Sequence, residues 1–184
     1  MILTGIEIWR QMGCGGVVIS PAVHGQENPV SFNYHLAPVL RIHTAGVIDS
    51  RAVNDLKEIT IPDEGIVLEP GRIYLGTTME KIGSITHVTS LIGRSSLGRL
   101  GMFLQFNADL SNVGTVHQWT LEIKVVQPLR VYAGMEVGQV TFWRTRGAPQ
   151  DYRGRFGVID EATVAPESLI PGRRETGIMK EVPA

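Results

Sequence analysis

The residues best equipped for chemistry lie in Gly93-Arg94-Ser95-Ser96-Leu97-Gly98-Arg99-Leu100-Gly101. Two guanidinium groups, two hydroxyls and the accessible backbone N–H groups beside the glycines are the donors that a phosphate chain needs. At about 100° per residue, Ser95 and Arg99 share one helical face while Arg94 points elsewhere, so one short turn could serve two tasks. The same residue types also describe a surface turn with solvated arginines, and taken alone the stretch leaves both readings open.

Such a turn needs a scaffold. Thr4-Gly5-Ile6-Glu7 has the form of a capping box, with Ile8, Trp9 and Met12 as an apolar set and Gly13 as a stop, which predicts one short helix over about 5–12. After it, apolar and polar residues alternate. Val30, Phe32, Tyr34 and Leu36 interleave with Ser31, Asn33 and His35, and Trp119, Leu121, Ile123 and Val125 with Thr120, Glu122 and Lys124. Period two predicts half-buried strands. Turn signals at Pro62-Asp63-Glu64-Gly65, Glu69-Pro70-Gly71, Gly134 and Gly138 separate many short runs, and the expected architecture is a β-sandwich or jelly roll. Long helices do not alternate with the strands and no G-x-x-x-x-G-K-[ST] sequence occurs, so neither a doubly wound sheet nor a P-loop is supported. Past residue 146 the composition turns to Gly, Pro, Arg, Asp and Glu. We divide the chain into a β domain, 1–146, and a tail, 147–184, which either is a flexible terminus or orders over a ligand or a neighbouring subunit.

Composition removes several classes. The 184 residues carry 17 Lys and Arg against 18 Asp and Glu, a formal charge of -1 with no basic field to hold a nucleic-acid polymer. No run approaches a membrane span, and Met1-Ile2-Leu3-Thr4 lacks the charged and apolar regions of a signal peptide, so a cytoplasmic protein with no membrane partner is expected. Cys14, the single cysteine, has no internal disulfide partner and lies between two glycines without an activating neighbour. No Cys-x-x-Cys or His-x-Glu arrangement offers a catalytic zinc site, and no protein ligands for a metal are expected.

The Gly93–Gly101 stretch, followed by Thr120-Leu121-Glu122, resembles the signature of the dCTP deaminases in the trimeric dUTPase-like superfamily. Arg94 and Glu122 stand 28 positions apart, as in the monofunctional members. Ser31-Phe32-Asn33-Tyr34-His35-Leu36, Leu68-Glu69-Pro70-Gly71 with Thr77 and Glu80, and Gly134-Met135 with Gly138-Gln139 extend the likeness over roughly residues 1–143. The resemblance implies a mainly β fold of the dUTPase-like barrel or jelly-roll type with a short N-terminal helix and an extended C-terminal tail. It also implies a homotrimer with sites between subunits, and conversion of dCTP and water to dUTP and ammonia without zinc, magnesium riding on the triphosphate. By motif match Glu122 would be the general base and proton shuttle, although by its strand position alone it could be an ordinary solvated glutamate. Ser95 would hold the attacking water and Arg99 would bridge to Glu122. The Ala108 carbonyl would orient water and amino group, Arg94 and Ser96 would contact phosphates, and the backbone of Thr120 and Leu121 would meet the cytosine edge.

Several positions depart from the family pattern. Asn112 stands where an aspartate would accept a bond from the sugar 3′-hydroxyl; an amide oxygen still accepts it, more weakly. The same change argues against a pyrophosphatase. Thr115-Val116-His117 replaces a Pro-aromatic-Gly loop, with His117 read as a loop substituent. In the tail, Tyr152 and Arg155 match a Tyr-x-Gly-Gln-x-Gly element with Arg for Gln, and Asp151 replaces a phosphate-binding lysine. Asn33 and His35 replace an Asp and an Arg. Against the deaminase reading stand two alternatives: a dUTPase-like or bifunctional enzyme making dUMP, and a catalytically silent nucleotide-binding trimer.

Overall fold

The computed structural model describes residues 1–104, 107 and 109–147. In chain order the elements are α1 (Gly5–Gly13), β1 (Val17–Ser20), β2 (Phe32–His35), β3 (Val39–His43), β4 (Leu56–Thr60), β5 (Ile66–Leu68), β6 (Tyr74–Ser84), β7 (Val88–Gly93), α2 (Ser95–Arg99), β8 (Met102–Phe103), β9 (Leu110–Ser111), β10 (Thr115–Val125), β11 (Leu129–Val131) and β12 (Glu136–Trp143). The expected short N-terminal helix is α1. Its Thr4 hydroxyl accepts from the Glu7 N–H at 3.3 Å, Ile8 is fully buried, and Gly15 at φ +75° turns the chain out.

The strands form a six-stranded sheet ordered β4-β3-β6-β10-β8 with β1 also on β6, a four-stranded sheet ordered β2-β12-β7-β9, and a β11-β5 pair, all antiparallel. Phe32, Tyr34, Leu91, Val140 and Phe142 from the smaller sheet join Ile82, Trp119, Leu121 and Ile123 from the larger in one core. This is the expected mainly β sandwich. In β10 the alternation holds as read: Trp119, Leu121, Ile123 and Val125 are buried, Thr120 and Glu122 half-buried, and Lys124 exposed. Among the turn signals, Gly65, Gly71 and Gly134 have positive φ, as tight turns require.

Three sequence expectations are corrected. Val30 lies before β2 and is exposed, whereas Asn33 is buried although its parity placed it outward. The reason is residues 26–31, which fold over that face: the Asn33 N–H donates to the Gln26 carbonyl at 2.8 Å, and Asn28 Nδ2 to Asn33 Oδ1 at 2.9 Å. Gly138 is no turn but sits inside β12, where a Cβ would run into the Tyr34 ring. Thr115-Val116-His117 opens β10 instead of forming a loop, and His117 stands opposite Ile82 with its ring stacked on Trp119. The tail from residue 148 lies outside the described residues.

Candidate functional site

Ser95-Ser96-Leu97-Gly98-Arg99 forms a single helical turn, α2, between β7 and β8, with Arg94 as its extended N-cap. Two contacts and a glycine fix it. The Arg94 N–H donates to the Val137 carbonyl at 3.3 Å, Leu97 packs on the core, and Gly101 at φ +86° ends the turn. Ser95, Ser96 and Arg99 are exposed, with Ser95 and Arg99 four residues apart along the turn as expected. Arg94 points elsewhere. Its guanidinium pairs with the Glu136 carboxylate, each side chain about one-third exposed (32% and 34%). Glu136 is in turn held by Asn33, whose Nδ2 donates to Glu136 Oε1 at 3.2 Å while its Oδ1 accepts from Gln139 Nε2 at 3.3 Å.

Sequence reasoning missed Glu136. In the sequence Glu80 is only a point of family likeness, yet it is buried in the core, at 2% exposure. It accepts from the His35 N–H at 3.0 Å and lies 2.5 Å from His35 Nδ1. A signal was available, because Tyr74, Gly76, Thr78, Glu80 and Ile82 share the buried parity of β6, and a carboxylate among them needs a partner. Burial, and next the charge of Glu80, push the neighbouring Tyr34 phenol above its ordinary range.

Glu122 lies on the half-buried outer side of β10 beside Thr120, and the Leu121 side chain is buried in the core, its residue opposite Gly76 of β6. One chain does not gather all the expected residues. The Val126 N–H donates to the Gly101 carbonyl at 3.0 Å, so the chain just after α2 meets the chain just after β10. Glu122 stands four residues before Val126, roughly 13 Å along the strand. Asn112 is exposed at the β9–β10 turn, where its carbonyl accepts from Thr115 Oγ1 at 2.8 Å. Ser111 stands opposite Thr89, near one end of β7, and α2 leaves the other end past Gly93. The Asn112 turn and α2 are thus separated by the length of β7. Ala108, Asp151, Tyr152 and Arg155 lie outside the described residues. Among the described residues no three His, Cys, Asp or Glu side chains are grouped to hold a metal ion.

Two packed antiparallel sheets with an Arg-Ser-Ser-Leu-Gly-Arg turn between β7 and β8 define a β-sandwich of the dUTPase-like kind. A family model described as "dCTP deaminase-like" matches residues 2–145, and the chain belongs to that family, which is a family of hydrolytic enzymes. Among curated relatives, "dCTP deaminase, dUMP-forming" of Hathewaya histolytica is 40% identical over 152 residues, covering 83% of this chain and 88% of the relative. The protein of the same description from Clostridium acetobutylicum is 41% identical over 152 residues, covering 83% and 87%. In fold the chain is similar to the crystal structure of 2′-deoxycytidine 5′-triphosphate deaminase from Agrobacterium tumefaciens, with a TM-score of 0.61 and 22% identity over 77% of this chain. The chain spans about half of that solved chain, 47% of its length. No helix among the described residues is long and apolar enough to cross a membrane.

Proposed function

We propose that this protein deaminates dCTP hydrolytically, with Glu122 as the general base. The observation that carries the reading is the match of residues 2–145 to the dCTP deaminase-like family, with the Arg94–Arg99 turn and Glu122 retained. In the proposed reaction Ser95 holds a water, and Glu122 takes its proton as the oxygen bonds to C4 of cytosine. Glu122 delivers that proton to N3, then takes the remaining proton from the new C4 hydroxyl and passes it to the amino group, so that the C4–N bond breaks, the C4 carbonyl forms and ammonia leaves. Arg99 supports Glu122 and the developing charge, and the Ala108 carbonyl orients the water. Arg94 and Ser96 receive phosphates, the Thr120 and Leu121 backbone meets the base, Asn112 meets the 3′-hydroxyl, and Tyr152 and Arg155 belong to the closing tail. Magnesium bound to the triphosphate would take phosphate and water oxygens as ligands and offset the phosphate charge, while zinc has no part in this scheme.

The separation of α2 from the Asn112 turn by the length of β7 within one chain supports a homotrimer in which neighbouring subunits bring these pieces together and cover the exposed Ser95 and Arg99. A cytoplasmic location fits a nucleotide substrate. The product expected from the sequence was dUTP, but the relatives named above are described as dUMP-forming. We therefore propose a second hydrolysis, in which water breaks the bond between the α- and β-phosphates and pyrophosphate leaves with dUMP as the nucleotide product. Asn112 favours the alternative that the reaction stops at dUTP, because the amide cannot accept a proton from water as a carboxylate would.

Incubation with dCTP, dCMP, CTP and dUTP, with and without magnesium, decides between them by chromatography with ammonia and pyrophosphate assays. Ammonia and pyrophosphate together from dCTP support the dUMP-forming reading, and ammonia alone supports dUTP as product. No ammonia from dCTP in the presence of magnesium contradicts the deaminase reading altogether.

A further inference from the structure

Between Gln118 and Thr120 the β10 strand advances two residues, while its partner β6 advances four, from Lys81 to Thr77. Thr78, Met79 and Glu80 therefore stand opposite Trp119 alone, in a bulge on β6. Side chains take up main-chain groups that the ladder leaves unpaired there. The Trp119 N–H donates to Thr78 Oγ1 at 3.0 Å, and that hydroxyl donates to the Glu80 carbonyl at 2.7 Å. Gln118 Nε2 donates across the strands to the carbonyls of Thr78 at 3.0 Å and Met79 at 3.2 Å. On the inner side, the Glu80 carboxylate is tied to β2 through His35.

The bulge determines where Glu122 lies. A regular ladder continued from Gln118 opposite Lys81 would set Glu122 opposite Thr77; instead it faces Leu75, roughly 7 Å further along β6. Leu75 has Arg41 on its other flank, and Arg41 stands opposite Glu58, with which it forms an ion pair. The two-residue offset keeps the inward and outward faces of β10 unchanged, so core burial alone does not choose between the registers. Polar side chains supply the choice.

We propose that Thr78 and Gln118 are positioning residues whose clasp on the β6 bulge fixes the register of the Thr120–Glu122 segment and, through it, the placement of the Glu122 carboxylate. The functional half of this inference rests on the deaminase reading above; the register half stands without it. Thr78→Val keeps the shape and removes the hydroxyl, Thr78→Ser keeps the hydroxyl, and Gln118→Leu removes the second arm from a partly exposed site that tolerates change better than Thr78.

The measurements are dCTP steady-state kinetics, thermal melting and amide hydrogen exchange at Trp119. A displaced base lowers kcat on the order of tenfold or more, leaves KM within about twofold, and leaves the variant folded. Thr78→Val and Gln118→Leu are expected to behave so, with Thr78→Ser near wild type and Trp119 exchange accelerated only in the first two. Should Thr78→Val not fold, Gln118→Leu carries the same comparison. Wild-type kcat in the folded variants overturns the positioning role, as does equal loss in Thr78→Ser. If the wild-type protein releases no ammonia from dCTP, the deaminase reading fails by itself. Accelerated Trp119 exchange in Thr78→Val then still supports the clasp, and unchanged exchange overturns it.

Discussion

Gly138→Ala is expected to be among the most destabilising single-methyl additions in this fold. Gly138 lies in β12 between β2 and β7, where an added Cβ would fall inside the Tyr34 ring and hydroxyl and 2.6 Å from the Ile92 carbonyl oxygen. Neither obstacle yields easily. Tyr34 is fully buried and its hydroxyl donates to that same Ile92 carbonyl at 3.2 Å, and the carbonyl belongs to the adjoining strand. Overpacking a close-fitted core costs about 1–3 kcal/mol, and with backbone on one side the upper end applies. For a chain of this size about 3 kcal/mol corresponds to a fall in Tm of roughly 6–12 °C. Thermal unfolding followed by circular dichroism reads it directly. Gly46→Ala is the control, since nothing lies within 4 Å of its added Cβ; it should change Tm little. Tyr34→Leu makes room, so in combination with Gly138→Ala the losses should fall short of their sum by more than about 1 kcal/mol. A Gly138→Ala protein melting within 2 °C of wild type, a shift worth about 0.5–1 kcal/mol, refutes the close approach.

Two further outcomes follow from charges. His87 is 3% exposed, its Nε2 has no hydrogen-bond partner among the described residues, and burial, then the charge of Arg144, lower its pKa while Glu7 opposes them. The unfolded chain therefore takes up this proton first: the contribution of His87 to stability is complete above about pH 6.5 and is lost as pH falls toward the lowered folded value. His87→Asn should flatten the decline of Tm between pH 7.5 and 5.5, a window spanning that unperturbed value of about 6.5, and an unchanged slope counts against it. At the phosphate end, Glu136→Gln keeps an acceptor for Asn33 and Arg94 but removes a negative charge. A unit charge about 5 Å from a phosphate is worth about 1–3 kcal/mol before screening, and discounting for the one-third exposure leaves a lowering of KM for dCTP of about threefold to tenfold. An unchanged or raised KM would show that Glu136 does not compete with phosphate for Arg94.

Residues that obey a local rule were legible from the sequence. Thr4 and Glu7 announce α1 by capping chemistry, Trp119 to Val125 announce β10 by alternation, and the glycines flanking Arg94 to Arg99 mark a turn. What escaped depends on contacts between distant segments. Asn33 reads as outward by parity, but residues 26–31 cover it, and its carboxamide becomes the link from Asn28 and Gln139 to Glu136. Gly138 reads as a turn because its reason for being glycine is a tyrosine more than a hundred positions earlier. The β6 bulge left no trace in periodicity, since a two-residue offset preserves which side chains face inward. In the candidate site the identities of Arg94, Ser95, Ser96, Arg99 and Glu122 came from a motif. The placement of Glu122 on β10, and of the Asn112 turn at the end of β7 opposite α2, could be seen only in three dimensions.

The central claim is that Glu122 moves the protons of a dCTP deamination, and the most direct measurement is ammonia release from dCTP with magnesium by wild-type protein and Glu122→Gln side by side. The amide keeps the size of the side chain and cannot take a proton from water. The account predicts ammonia from the wild type, and from the variant a rate lower by about a hundredfold or more, with unchanged melting and undiminished dCTP binding by calorimetry. A variant that folds, binds dCTP and releases ammonia at a rate near wild type would contradict it.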